Sequence, residues 1–217
     1  MLIANPIYGV FFKFLMEDTK IASKLLSAII GEEIVELELR PQETLVSVPQ
    51  YYLSVFRLDF KATIKTEVGQ YKKVLIELQK GKKSFDIMRF RKYLGENYTK
   101  IDEYKNNNGE IVRQALPIIA IYFLGFRLNN LPAAVMKAAH HYYNVVTGEE
   151  LHGKDDFVEQ LIHDCFVIQI PRLQITMQNK IEKMLLIFNQ RFVSYNDNRI
   201  LTVPQDYLAD AEICTTY

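Results

Sequence analysis

A chain of 217 residues with 49% hydrophobic side chains can bury one good core and a small second lobe. Its 26 basic and 26 acidic residues cancel, so overall charge does not mark a generic polyanion binder. No apolar run reaches the roughly 18 residues that span a bilayer, and Met1–Val10 lacks the charged-then-apolar layout of an export signal. Cys165 and Cys214 are too few and too distant for a disulfide framework or a zinc cluster, so a bacterial-type cytoplasm is the expected compartment.

In chain order, Phe11, Phe14, Leu15, Leu25, Leu26 and Ile29 recur at helical spacing, which predicts a helix from about Pro6 to Ile30 with Gly31 as its stop. Strands are expected near Ile34–Arg40, Phe56–Thr66 and Tyr71–Gln79. From Phe56 the chain alternates, with Leu58, Phe60, Ala62 and Ile64 on the apolar face and Arg57, Asp59, Lys61, Thr63 and Lys65 on the other. The return strand sets Val74, Ile76 and Leu78 against Lys73, Leu75, Glu77 and Gln79. Glu67-Val68-Gly69 fits a three-residue hairpin loop with Gly at the left-handed position. Thr66 then faces Gln70, and the ladder puts Asp59 opposite Glu77. Like charges so placed destabilise a sheet, and a divalent cation would reverse that cost, since two carboxylates plus water or phosphate oxygens make a typical Mg²⁺ site.

A helix is expected over about Ser84–Tyr104, a turn at Asn106–Gly109 and a buried strand at Leu116–Leu124. Behind them, Ala134–Val146 reads as one or two strands, Asp155–His163 as a short helix and Cys165–Pro171 as a strand. Thr176–Phe192 reads as an amphipathic helix with Ile181, Met184, Leu185 and Phe188 on one face. His140 and His141 suggest a metal site, but adjacent strand residues point opposite ways and no ligand-spaced partner follows. With His152 and His163 they are expected to be surface or partly buried structural residues.

The strings NPIYGVFFKFLMED, RLDF, IELQK and DIMRFRKYLGENY, in this order, resemble the PD-(D/E)XK nuclease superfamily, in particular its branch of nuclease-family transposases and recombination-promoting nucleases. The resemblance implies an α/β fold: a restriction-endonuclease-like core at 1–126, helix–three strands–helix–strand around a mixed sheet, with an α+β extension over 127–217. It makes Asp59 and Glu77 the metal-binding and catalytic acids, adds the backbone carbonyl of Leu78 to the metal shell, and puts Gln79 where most of the superfamily has a lysine. Lys13, Arg89 and Tyr93 match branch positions of less defined role. Gly9 stands where the branch has an acid on its first helix, and the tail after Asn198 is expected to be truncated or altered.

The implied activity is Mg²⁺-dependent DNA endonuclease, with Mn²⁺ as substitute, tied to transposition and recombination of mobile elements. Gln79 can orient water but cannot act as a base. Lys80, Lys82, Lys83, Arg89, Lys13 and Tyr93 are the candidate DNA contacts, although Lys80 points to the opposite strand face from Gln79. Residues 61–105 hold twelve basic and six acidic side chains, so this window is net +6 and the rest of the chain net −6. Cutting both strands would call for a homodimer. No membrane partner is expected. The rival expectation is a non-cleaving module of the same fold that binds DNA or a protein, with a plain scaffold as the third.

Overall fold

A computed structural model describes residues 2–40, 56–66, 68–105, 108–174 and 179–204 of the chain. Strand β1 (Leu2–Ala4) is followed by helices α1 (Gly9–Glu17) and α2 (Thr19–Ile30). Hydrophobic spacing predicts one helix here, but two form. Asp18 takes an extended conformation between them, and its carboxylate accepts the backbone N–H groups of Lys20 and Ile21, capping α2. Gly31, at φ 83°, ends α2 as expected.

Strands β2 (Glu33–Arg40), β3 (Phe56–Lys65) and β4 (Tyr71–Gly81) form an antiparallel meander. Gly69, at φ 78°, closes the β3–β4 loop, and the amide of Thr66 donates to the carbonyl of Gln70 at 2.8 Å. That loop fixes the register. Glu67 lies outside the described residues. A 3₁₀ turn at Ser84–Asp86 leads into α3 (Ile87–Tyr98), which stops six residues short of the expected end. Beyond it, β5 (Asp102–Lys105) pairs with β6 (Ile111–Gln114) in a hairpin that the helical reading of 84–104 missed. Ion pairs draw this segment down onto the sheet, Lys100 to Asp59 at 2.9 Å and Asp102 to Lys61 at 2.6 Å. Asn108 and Gly109 sit in the expected turn; Asn106 and Asn107 lie outside the described residues.

Strand β7 (Ile118–Leu124) returns parallel to β4 after the α3 crossover. The region expected to hold one or two strands contains β8 (Val135–Ala138) and β9 (Tyr142–Tyr143), the latter paired with β10 (Glu150–Leu151). After α4 (Asp156–Leu161), β11 (His163–Gln169) joins β7 in parallel, and Pro171 falls in a 3₁₀ turn rather than in that strand. Helix α5 (Lys180–Leu185) is shorter than its apolar pattern predicted and continues as 3₁₀ turns to Phe192, although Met184, Leu185 and Phe188 are buried as expected. Residues 176–178 and the tail from 205 lie outside the described residues. Strand β12 (Ile200–Thr202) pairs back onto β1.

The result is a mixed α/β structure around a six-stranded sheet of order β2-β3-β4-β7-β11-β8. The sheet runs on past residue 126, since β8 and β11 belong to it. On one face, Leu58, Phe60, Ala62 and Ile64 of β3 join Val74, Ile76 and Leu78 of β4 in a core with α1, α2 and α5. Burying each such side chain contributes about 1.5–3 kcal/mol, which ties the alternation in β3 to the helices that cover it. The other face carries the polar set and is covered by α3, with Phe90 stacked on Tyr122 at 4.9 Å. Leu75 lies on that face too, buried with Leu116 and Ile118 against Leu94 of α3.

Lys80 is the exception within the apolar core. It is 2% exposed, its ammonium donates to the carbonyl of Ile7, and it lies 5.5 Å from the centre of the Phe12 ring. Among the described residues no carboxylate pairs with it. Burial, with Lys82 nearby, lowers its pKa from 10.5 to about 8. The folded state therefore pays for this charge at neutral pH and is relieved of it between about pH 8 and 10.5. Lys80→Met is expected to raise Tm by a few degrees at pH 7 and to lose that advantage by about pH 10.5, as read by a thermal melt at each pH. An advantage that does not depend on pH would show that packing, not charge, sets the effect.

Candidate functional site

The β3–β4 register pairs Asp59 with Glu77, as the hairpin count predicted. Both side chains turn away from the apolar core, because each has core residues on either side of it in the strand alternation. Asp59 is 4% exposed and Glu77 fully buried, so the pair lies under α3 rather than on an open surface.

Every oxygen of the pair accepts a protein donor. Arg57, two residues back on the same strand face, donates Nε to Asp59 Oδ1 at 3.0 Å and Nη2 to Oδ2 at 2.7 Å. Lys100 adds a bond to Asp59 Oδ2 at 2.9 Å. The amide nitrogen of Asn97 bridges the two acids, 3.3 Å from Asp59 Oδ1 and 3.1 Å from Glu77 Oε2. Gln79 donates to Glu77 Oε1. Arg57 is itself held from above, by Glu96 at 2.7 Å and by the Tyr93 ring 4.7 Å from its guanidinium. Burial works against that guanidinium's charge, but Asp59 and Glu96 outweigh it and its pKa lies above the ordinary value.

Burial also acts on Glu77, and with the Asp59 charge it outweighs the hydrogen bond from Asn97, raising the Glu77 pKa from 4.5 to about 7. A second feature is the amide oxygen of Gln79, which is buried without a hydrogen-bond partner. An orphaned acceptor beside two carboxylates is a place for a donor such as a metal-bound water. Among the described residues no group of three or more His, Cys, Asp or Glu is arranged to hold a metal ion. The candidate ligands on this face are therefore the carboxylates of Asp59 and Glu77, with the Gln79 amide oxygen beside them to accept from a coordinated water. All are hard oxygen donors, and they fit Mg²⁺, which takes one or two carboxylates and keeps several waters.

The other expected residues are spread more widely. Leu78 packs its side chain into the opposite core, and its backbone sits in a strand paired on both sides. Lys80 is buried on that same opposite face, away from the acid pair, so its expected contact with DNA does not follow from its position. The exposed Lys13 pairs with Glu17 at 3.5 Å on α1, which packs against the apolar face, and Gly9 opens that helix. Arg89 is held to the buried Asp86 at 3.2 Å. Lys82 and Lys83 are exposed at the end of β4. Tyr93 stacks against the Arg57 guanidinium from α3. The histidines have local partners: His140 lies between Glu159 at 3.1 Å and Asp164 at 3.2 Å, His141 reaches Glu150 at 2.5 Å and His163 meets Tyr98 at 2.7 Å.

Sequence reasoning missed Arg57, Asn97 and Lys100 as members of this site. Arg57 was readable, since it shares the strand face of Asp59 two residues away. Asn97 and Lys100 were not, because their place depends on how α3 crosses the sheet and where it stops. Comparison with family models, with curated proteins and with solved structures returned no match.

The Glu77 shift has a defined sign. A carboxyl whose folded pKa is raised stabilises the fold below about 4.5, where it is protonated in both states, and that contribution is lost as pH rises through about 7. Glu77→Gln is therefore expected to match wild type near pH 5 and to exceed its Tm near pH 8, with excess Mg²⁺ narrowing the gap at the higher pH by stabilising wild type alone. Melts that run parallel at both pH values would remove Glu77 as a proton- or metal-linked group.

Proposed function

We propose that this chain is a Mg²⁺-dependent DNA endonuclease built on a PD-(D/E)XK-type core and acting in the transposition or recombination of mobile elements. The observation that carries the reading is the burial of Asp59 opposite Glu77 on one sheet face, beside the unpaired amide oxygen of Gln79. Three antiparallel strands, the crossover helix α3 and a strand parallel to the third are compatible with the element order that the resemblance implies, with β1, the division of the first helix and the β5–β6 hairpin as departures from it.

Bound between Asp59 and Glu77, Mg²⁺ would neutralise charge on the scissile phosphate and acidify a water. The chain's own side chains do the rest. Burial raises the Glu77 pKa to about 7, so a cation there would bind in competition with its proton. Gln79 orients a water through its amide oxygen and takes no proton. With a cation on Asp59, Arg57 and Lys100, which now hold that carboxylate, would be free to pair with phosphate oxygens, Arg57 with the bidentate geometry of a guanidinium. Lys82 and Lys83, exposed at the end of β4, extend the phosphate track, with Arg89 held back by its pair to Asp86, and a homodimer would be needed to cut both strands.

One observation favours a second reading. All four carboxylate oxygens already accept bonds from Arg57, Lys100, Asn97 or Gln79, an arrangement that is complete without a metal. A protein using this network only to hold α3 on the sheet would bind DNA or a protein partner without cleaving. Nicking of supercoiled plasmid in Mg²⁺ or Mn²⁺ separates the two readings. The enzyme reading expects cleavage by wild type and a loss of at least about a hundredfold in Asp59→Asn, since even outer-shell changes at metal sites cost 10–100-fold. DNA binding without nicking, and without any metal-induced rise in Tm, would establish the non-cleaving module.

A further inference from the structure

The connection from β4 to α3 presents an unusual surface. Lys82, Lys83, Arg91 and Lys92 are all exposed, and among the described residues none of them makes an ion pair. The one acid in this stretch, Asp86, is 1% exposed. Its Oδ2 accepts the backbone amides of Lys82 at 2.8 Å and Lys83 at 3.1 Å, and its Oδ1 is taken by Arg89. The surface is therefore cationic without relief, and the loop that carries it is tied down from inside. Gly81 tightens it further, because a Cβ there would come within 2.6 Å of the Phe90 ring and 3.3 Å of Asp86.

Three large apolar side chains, Phe85, Ile87 and Met88, stand exposed among the same cations. Phe85 is 58% exposed and Met88 67% exposed, and the Lys83 ammonium lies 5.7 Å from the centre of the Phe85 ring. Leaving these groups in water costs stability, yet nothing among the described residues covers them. Met88, Arg91 and Lys92 follow one another at helical spacing, so the apolar end of α3 passes directly into its basic face. Charge complementarity selects a polyanion. The apolar element is three side chains where the turn enters α3, too small for the broad apolar face by which a helix lies in a lipid surface. A second copy meeting this patch face to face would set four cations against four.

We propose that this loop and the first turn of α3 form a wedge for DNA whose bases are unpaired, with Phe85 and Met88 entering between bases and Lys82, Lys83, Arg91 and Lys92 holding the flanking phosphates. Side chains that wedge between base steps are favoured where the bases are already unstacked, which lowers the cost of entry. The preferred ligand is then a single strand, or a duplex with a bulge or fork, rather than a uniform duplex. Five strand residues, about 16 Å, separate Lys82 from Glu77 along β4, so DNA held at the wedge passes within a few nucleotides of the acid pair. The wedge deepens the DNA-cleavage reading by naming its substrate class and rests on that reading only for its consequence, not for the binding itself.

Fluorescence anisotropy with the full chain and three labelled oligonucleotides tests this: a single strand, a duplex with an unpaired bulge and a perfect duplex. Wild type is expected to bind the first two at least about tenfold tighter than the third. Phe85→Ala, at an exposed position, is expected to weaken single-strand binding by about 5- to 150-fold, the range for loss of one aromatic stacking contact, and Met88→Ala to weaken it less, with duplex binding and its salt dependence unchanged in both. Lys82→Gln is expected to weaken binding to all three and to lower the salt slope by about one. Equal affinity for the three oligonucleotides, or Phe85→Ala behaving as wild type, overturns the wedge. So does binding to vesicles of phosphatidylglycerol and phosphatidylcholine with no binding to the oligonucleotides. Wild type that prefers unpaired DNA but never nicks plasmid sinks the enzyme reading alone. Nicking without that preference sinks the wedge alone.

Discussion

Two carboxylates face each other across an antiparallel ladder, where their Cβ atoms are roughly 5 Å apart, and this side of the molecule is arranged around their repulsion. At an effective dielectric near 20, two unit charges at that separation cost about 3 kcal/mol. The fold meets the cost in three ways at once. Glu77 holds its proton up to about pH 7. Arg57 and Lys100 neutralise Asp59. Asn97 donates to both acids from α3. These contacts also fasten the helix to the sheet, so the electrostatics of the pair and the position of α3 are one problem.

The same network redistributes the charge that the sequence concentrates between residues 61 and 105. Lys61, Arg89 and Lys100 are committed to Asp102, Asp86 and Asp59, and Lys80 is buried in the apolar core. The cations left for a partner are fewer than the net charge of the window suggests. Lys82, Lys83, Arg91 and Lys92 sit at the end of β4 and on α3, next to Phe85 and Met88, whereas Lys72 and Lys73 lie at the start of β4 and Lys105 in β5.

Period-two alternation was the most legible signal. It located β3 and β4, and the Gly69 loop then set Asp59 against Glu77 without any three-dimensional information. Helix ends were less legible. Asp18 breaks the first helix through a cap that hydrophobic spacing does not register, and α3 ends early because Lys100 and Asp102 find partners on the sheet, an interaction between residues about 40 positions apart. The site was read in the same uneven way. Its acids and Gln79 lie on strands whose faces can be counted. Asn97 comes from the crossover helix, and the opposite placement of Lys80 followed from the count even though its burial against Ile7 and Phe12 did not.

The central claim is that the place between Asp59 and Glu77, where Arg57, Asn97, Lys100 and Gln79 donate to the two carboxylates, is one a divalent cation can take. A crystal soaked in Mn²⁺ above pH 7 tests it most directly, through anomalous scattering. The account predicts a peak between the two carboxylates with Arg57 and Asn97 drawn back from it. An unchanged Arg57–Asp59–Asn97–Glu77 network with no peak would contradict it.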